Sequence, residues 1–218
     1  MIEVTYVDHM GSDISVVNAA RVSFGKKSGW ASFKSGDAHR GVLHDKDRKL
    51  IHYLAEHKHL SPFGHCFASF HVKAPLFVAR QLVKHKFLRW NEISRRYVDS
   101  EPEFYEPDEW RGRNEDKKQG SDGVVHIYMD QEMQWHRQMT NYTNLINNGV
   151  CPEQARMVLP QSMMTEWYWS GSLDAFADMC NLRCTSDTQL ETRLAANQIC
   201  DGMKKLFPVS WFALRLEK

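Results

Sequence analysis

Between Gln81 and Tyr97 the chain reads QLVKHKFLRWNEISRRY, and three groups of side chains there have the types and spacing to hold an anion or a polar heterocycle. Gln81 lies three residues before Lys84 and four before His85, so a helix sets an amide, an ammonium and an imidazole on neighbouring turns of one face. Lys84-His85-Lys86 is a compact cationic triplet. Asn91-Glu92 follows, and then Ser94-Arg95-Arg96 leads into Tyr97. In an extended segment 92–97, Glu92, Ser94 and Arg96 share one face and Ile93, Arg95 and Tyr97 the other. A hydroxyl, two guanidiniums and loop N–H groups suit a phosphate monoester, because bidentate charge-assisted bonds fix its position and orientation. Glu92 among these cations reads as an acceptor for base or sugar donors, or as the orienter of an arginine. The residue types fit a plainer account equally well: basic residues at a helix C-terminus offset the macrodipole, and charge runs are commonly solvated faces.

The elements that must position these groups follow from hydrophobic period. Pro75 suits a first helical position, and Leu76, Ala79, Val83 and Phe87 recur at helical spacing, which predicts a helix carrying the cationic triplet at its end. Cys66, Ala68, Phe70 and Val72 alternate as a strand leading into it. Earlier, Ile2, Val4 and Tyr6 alternate, so 2–7 reads as a strand, and Ser12 or Asp13 caps a helix with Ile14, Val17, Ala20 and Phe24 inward. Residues 25–41, rich in Gly, Lys and Ser, read as a mobile loop; Asp45 to His57 is helical through Leu50, Ile51 and Leu54. The charged stretch 100–123 reads as a surface excursion with two aromatic anchors. From His126 to Asn148 a long amphipathic helix, ended by Gly149, presents Met129, Met133, Met139 and Ile146 as a core stripe. Helices follow from Pro152 to Pro160, through Leu173, Phe176 and Cys180, and from Leu190 to Leu206 with Pro208 closing the last. The expected class is α+β: one helix-rich domain, residues 1–218, around a small mixed or antiparallel sheet.

Composition excludes several functions. The 218 residues suffice for a sizeable core, and 28 Lys+Arg against 27 Asp+Glu leave a net charge of +1, so no global field draws the chain to nucleic acid or an anionic membrane. Apolar runs are short and the N-terminal segment is not basic-then-apolar, from which we expect a soluble cytoplasmic protein. Five cysteines, Cys66, Cys151, Cys180, Cys184 and Cys200, show no paired CxxC spacing. Cys180 and Cys184 stand one helical turn apart without a zinc-type partner set, so no metal is expected and the thiols read as buried and inert.

The pattern Lys84-His85-Lys86, seven residues, Ser94, with Asn91-Glu92 and Arg96-Tyr97 inside or just after it, resembles the signature of the flavin-dependent thymidylate synthases. Their motif is Arg-His-Arg, seven residues, Ser; both outer arginines are lysines here. Further stretches resemble family landmarks in family order: Ala19 to Phe24, His59 to His65, Phe70 to Pro75, Ala155 to Pro160 and Asn181-Leu182-Arg183.

The resemblance implies reductive methylation of dUMP to dTMP, with methylenetetrahydrofolate as carbon donor and FAD and NADPH carrying the reducing equivalents. It implies a homotetramer with sites shared between subunits. Arg183 is the implied catalytic residue, a fixed cation beside uracil N3 and O4 that pushes electron density toward C5. The implied dUMP pocket is Gln81, Lys84, Glu92, Ser94, Arg95, Arg96, Arg156 and Arg183. The implied FAD contacts are Ser61, Lys84, His85, Lys86, Glu92, Ser172, Leu173, Asp174 and Asp178, with His59 and Tyr97 stacking on flavin or folate. Arg95 stands where the family commonly has glycine, Gly64 where glutamate is usual, and Asp174 and Asp178 where asparagine and arginine are usual. No cysteine sits in a cationic context, so a thiolate nucleophile is not expected. No GxGxxG follows a strand, so the flavin is not held by a dinucleotide fingerprint. Two other readings stand beside this one: a sibling enzyme that hydroxymethylates or otherwise modifies uracil C5, and a binder of RNA or polyphosphate that uses Lys84 to Arg96 as a basic patch.

Overall fold

The computed structural model describes residues 1–33, 41–98, 100–115 and 120–215. Its framework is a four-stranded antiparallel sheet, β1 (Glu3–Met10), β4 (Phe67–Pro75), β8 (Met164–Ser172) and β5 (Leu88–Glu92), in the order β1-β4-β8-β5. Chain order interleaves these strands with α1 (Asp13–Arg21), a ribbon of β2 (Ser32–Phe33) and β3 (Gly41–Val42), α2 (Asp45–Glu56) and α3 (Leu76–Leu82). A second ribbon, β6 (Arg111–Arg113) with β7 (Ser121–Val124), leads to α4 (Gln131–Asn147) and α5 (Pro152–Ala155). After β8 the chain closes with α6 (Leu173–Arg183), α7 (Leu190–Leu206) and α8 (Pro208–Leu214).

One face of the sheet is core and the other is polar, as alternation in an antiparallel sheet allows. Ala68, Phe70, Val72 and Ala74 of β4 and Trp167 and Trp169 of β8 are buried together with Phe176, Met179, Ile199 and Met203 of α6 and α7. Trp90 stacks on Trp167 with centroids 4.3 Å apart, and Phe176 meets Phe70 edge-on at 5.4 Å. On the opposite face Ser69 and Ser170 hydroxyls pair at 2.8 Å, and His71 lies 3.1 Å from Glu166. Gly171 makes room where β5 pairs with β8 opposite Leu88: a Cβ there falls 2.3 Å from Leu88 Cδ2 and 3.0 Å from the Phe87 carbonyl oxygen.

Buried carboxylates fasten the helices around this core. Asp13 accepts the Val209 and Ser210 N–H groups at 3.0 and 2.8 Å, which caps α8 from α1. Asp47, fully buried, accepts both the Nε and Nη2 of Arg21 and the Ser28 hydroxyl.

Several sequence expectations change. The helix at Pro75 stops at Leu82, leaving Val83 and Phe87 exposed and the cationic triplet in the turn that follows; the buried side is Val78, Ala79 and Leu82. Phe24 is exposed, while Val16 takes its expected place inward. Met129 and Met133 are exposed rather than core, and only Tyr142 of α4 is buried. The chain past Glu92 is not extended: Tyr97 and Val98 N–H groups both donate to the Ser94 carbonyl, closing a turn. β5 and β8 were not anticipated, and Pro208 opens α8 instead of ending the fold. Of the expected loop 25–41, residues 34–40 lie outside the described residues, as do 116–119 of the excursion.

Candidate active site

α6 is the element that aims the site. Ser172 ends β8 and immediately precedes α6, whose first N–H, from Leu173, donates to the Cys66 carbonyl at 2.8 Å. Leu173, Phe176, Met179 and Cys180 bury one side of the helix, so its other features follow rigidly from the core. Its last residue is Arg183. The guanidinium Nε donates to His85 Nε2 at 3.0 Å, joining the end of α6 to the turn after α3. Burial, and then the Arg183 charge, push the His85 imidazole down to about 4, so near neutral pH it is an uncharged acceptor.

Arg183, Gln81 and Lys84 line one cavity of about 910 Å³, a volume suited to a ligand of nucleotide size. Gln81 is held rather than free: its amide nitrogen donates to Gln189, and its oxygen accepts from Thr192 at 3.1 Å. The far wall comes from the ribbon β6–β7 and the start of α4, through Trp110, Arg111 and Trp135. Tyr105, Trp110, Arg111 and Ser121, all from the stretch expected to be a surface excursion, therefore line the pocket. Arg111 Nη2 pairs at 2.5 Å with Glu191, whose side chain is 3% exposed, and the Tyr105 hydroxyl donates to the same carboxylate oxygen at 3.5 Å. Arg111, Glu191, Gln189 and the aromatic walls were missed at the sequence level. The one available signal was the concentration of aromatic and arginine residues within an otherwise charged loop.

The remaining expected residues lie elsewhere in the chain. Glu92 is fixed by the Thr165 hydroxyl at 2.7 Å and the Trp90 indole N–H at 3.0 Å. Ser94 and Arg96 come together, the Arg96 Nε donating to the serine oxygen at 3.0 Å, through the turn and not through strand alternation. Arg95 donates to the Ser100 carbonyl, and the Arg96 guanidinium lies 4.8 Å from the exposed Tyr97 ring. Arg156 donates its Nε to the Glu153 carbonyl at 3.3 Å. None of Glu92, Ser94, Arg95, Arg96 and Arg156 lines the Arg183 cavity of its own chain.

Among the expected flavin contacts, Lys84 and Lys86 are exposed beside half-buried His85. Ser61 is exposed in the turn before β4, its carbonyl accepting from Gly64 N–H at 3.1 Å. Ser172 and Leu173 are buried at the start of α6. Asp174 keeps one buried carboxylate oxygen without a hydrogen-bond partner. Asp178, exposed one turn later, has its carboxyl raised by partial burial and then by Asp174. His59 sits edge-on to Tyr53 at 6.1 Å and near His57 at 6.3 Å, in a surface aromatic group. As donors and acceptors these residues fit an FAD: two ammoniums suit the pyrophosphate, and the unpartnered Asp174 oxygen suits a ribose hydroxyl.

The antiparallel α+β fold thus sets Arg183, bonded to a neutral His85, at the wall of a cavity that suits a polar ligand of nucleotide size. Residues 5–209 match the thymidylate synthase complementing protein family. The chain is 38% identical over 216 residues to a flavin-dependent thymidylate synthase of Thermus thermophilus, covering 96% of this chain and 74% of that protein. A second flavin-dependent thymidylate synthase, from Kosmotoga olearia, is 36% identical over 218 residues, covering 95% and 87%. The crystal structure of a UMP/dUMP methylase, PolB from Streptomyces cacaoi bound with 5-Br dUMP, is similar with a TM-score of 0.77 and 30% identity, over 98% of this chain and 94% of that one. The chain belongs to the flavin-dependent thymidylate synthase family.

Proposed function

We propose that this chain converts dUMP to dTMP, with methylenetetrahydrofolate as carbon donor and NADPH as reductant, and activates the uracil electrostatically. The observation that carries the reading is the Arg183–His85 pair at the wall of the nucleotide-sized cavity. Neutral uracil is a poor carbon nucleophile at C5. A permanent cation beside N3 and O4 stabilises the anionic ring and moves electron density toward C5. Arginine keeps its charge when desolvated, and with Nε given to His85 the two Nη groups remain to fork onto adjacent ring acceptors. His85 serves this arrangement only as a neutral acceptor, since a protonated ring repels the guanidinium. No cysteine is among the described residues that line the cavity, in keeping with chemistry that makes no bond from sulfur to C6.

Lys84 and Lys86 hold the FAD pyrophosphate with His85 between them, and Ser61, Glu92, Ser172, Leu173, Asp174 and Asp178 complete its contacts. Bound there, FAD supplies hydride-accepting and hydride-donating chemistry. Ser94, Arg95, Arg96 and Arg156 take the nucleotide phosphate, and His59 and Tyr97 stack on the flavin or folate. Because these phosphate residues do not line the Arg183 cavity of their own chain, a homotetramer in which one copy completes the site of another accounts for both groups. We place the enzyme in the cytoplasm; no helix among the described residues is long and apolar enough to cross a membrane.

The test is incubation of the purified chain with dUMP, FAD, NADPH and methylenetetrahydrofolate, followed by product mass. A gain of one methylene is expected. A hydroxymethyl product assigns the sibling reaction instead, and no product from flavin-saturated protein overturns the proposal.

A further inference from the structure

Three of the cysteines meet behind the site. Cys180 stands on α6 and Cys184 one turn later, just past its end, and Cys200 reaches them from α7, their sulfurs all within 4.8 Å of one another. The sequence hid this, because Cys200 is brought in only by the packing of α7 on α6. Cys180 is fully buried, and Cys184 and Cys200 are partly buried against the core. Cys180 is otherwise served only by a long contact to the Ala196 carbonyl, 3.7 Å.

One feature beside the sulfurs suits negative charge: the Arg215 guanidinium lies close enough for its charge to act on both Cys184 and Cys200. Arg215 Nη1 is buried without a hydrogen-bond partner, so a cation is already held against the cluster with bonding capacity unused. A disulfide needs two sulfurs and leaves the third without a role. A metal–sulfur bond of about 2.3 Å places ligand sulfurs roughly 3.8–4.0 Å apart, a contraction of under about 1 Å from the spacing here.

We propose that Cys180, Cys184 and Cys200 form a three-thiolate site for a single thiophilic metal ion of the Zn(II), Cd(II) or Cu(I) class. On binding a divalent ion, three S–H protons leave to solvent and three metal–sulfur bonds form, giving a net charge of −1 that Arg215 offsets. The ion staples the last turn of α6 to α7, and that turn presents Arg183. The site is independent of the proposed reaction and is tested without it.

Reduced full-length chain titrated with Cd(II) develops a thiolate-to-metal charge-transfer band that saturates at one equivalent, with release of about three protons, and Zn(II) competes for it. Cys184→Ser and Cys200→Ser, at partly buried positions, each weaken Cd(II) binding at least tenfold; Cys66→Ser and Cys151→Ser leave it unchanged. Cadmium NMR of the unmodified chain reads the number of bound sulfurs directly, so the outcome stands even if a variant misfolds. Three sulfurs support the site. Two or fewer, a band that survives Cys200→Ser, dependence on Cys151, or no uptake at micromolar Cd(II) overturns it.

Discussion

The Nε of Arg183 donates to Nε2 of His85 at 3.0 Å, across 98 positions of sequence. That bond decides which nitrogen of His85 must lack a proton and which edge of the guanidinium remains for a ligand. It also joins the motif-bearing turn to the end of α6, so the two halves of the site move as one.

The pH dependence follows from this pair. His85 has a folded pKa of about 4 against 6.5 for a free imidazole, so the unfolded chain takes up this proton first as pH falls. The contribution is intact above about 6.5 and is lost on descent toward 4. For a half-exposed ring, screening reduces it to on the order of 1–2 kcal/mol. Thermal melts between pH 7 and 4 should show a steeper loss of Tm in the native chain than in His85→Gln, which keeps an acceptor and removes the titration. Parallel curves would refute the assignment.

Arg183→Ala removes the cation proposed to activate the ring. We expect kcat to drop by about 10²–10³, the scale for deleting one preorganised charge-stabilising group, with dUMP affinity weakened by less than about tenfold. Arg183→Lys, which keeps charge without the fork, falls between. Steady-state kinetics beside equilibrium dUMP titration check this, and equal losses in rate and affinity would argue against the activating role.

Arg111→Ala strands Glu191, whose side chain is 3% exposed and whose second carboxylate oxygen already lacks a partner. Removing one partner of a buried pair costs about 3 kcal/mol or more. Urea unfolding should show that loss, and the wall of the cavity formed by β6 and β7 loosens with it. A change below about 0.5 kcal/mol, the range of a neutral surface substitution, would mean the pair is not structural.

Lys84 and Lys86 stand where the family signature has arginines, keeping the charge but not the planar fork. Fluorescence titration of apoprotein should show tighter FAD binding in the double variant Lys84→Arg/Lys86→Arg and a loss of about tenfold or more in Lys84→Ala/Lys86→Ala. No binding to the native chain at tens of micromolar FAD would refute the flavin site.

Local chemistry wrote part of this protein directly into its sequence. The alternation of Ala68, Phe70, Val72 and Ala74 needed only the two-residue period of a strand, and Asp45 to Glu56 only the helical one. The spacing from Lys84 to Ser94 carried the family because the whole motif lies in one short stretch of sequence, from the turn after α3 through β5 to the turn beyond it. Other readings failed where neighbours in space decide. Trp167, Trp169 and Thr165 alternate as a strand should, yet β8 went unseen because both its partners, β4 and β5, lie far upstream. Met129 and Met133 have the spacing of a core stripe and lie exposed, since periodicity says which residues share a face and not whether anything covers it. The sequence by itself determined the family and the cationic motif, and it singled out Arg183 as the candidate catalytic residue. Tertiary packing alone decided that His85 is the neutral partner of Arg183, that Arg111 and Glu191 build the cavity wall, and that three cysteines from two helices share one point. Burial and charge proximity belong to the assembled core, and no local pattern encodes them.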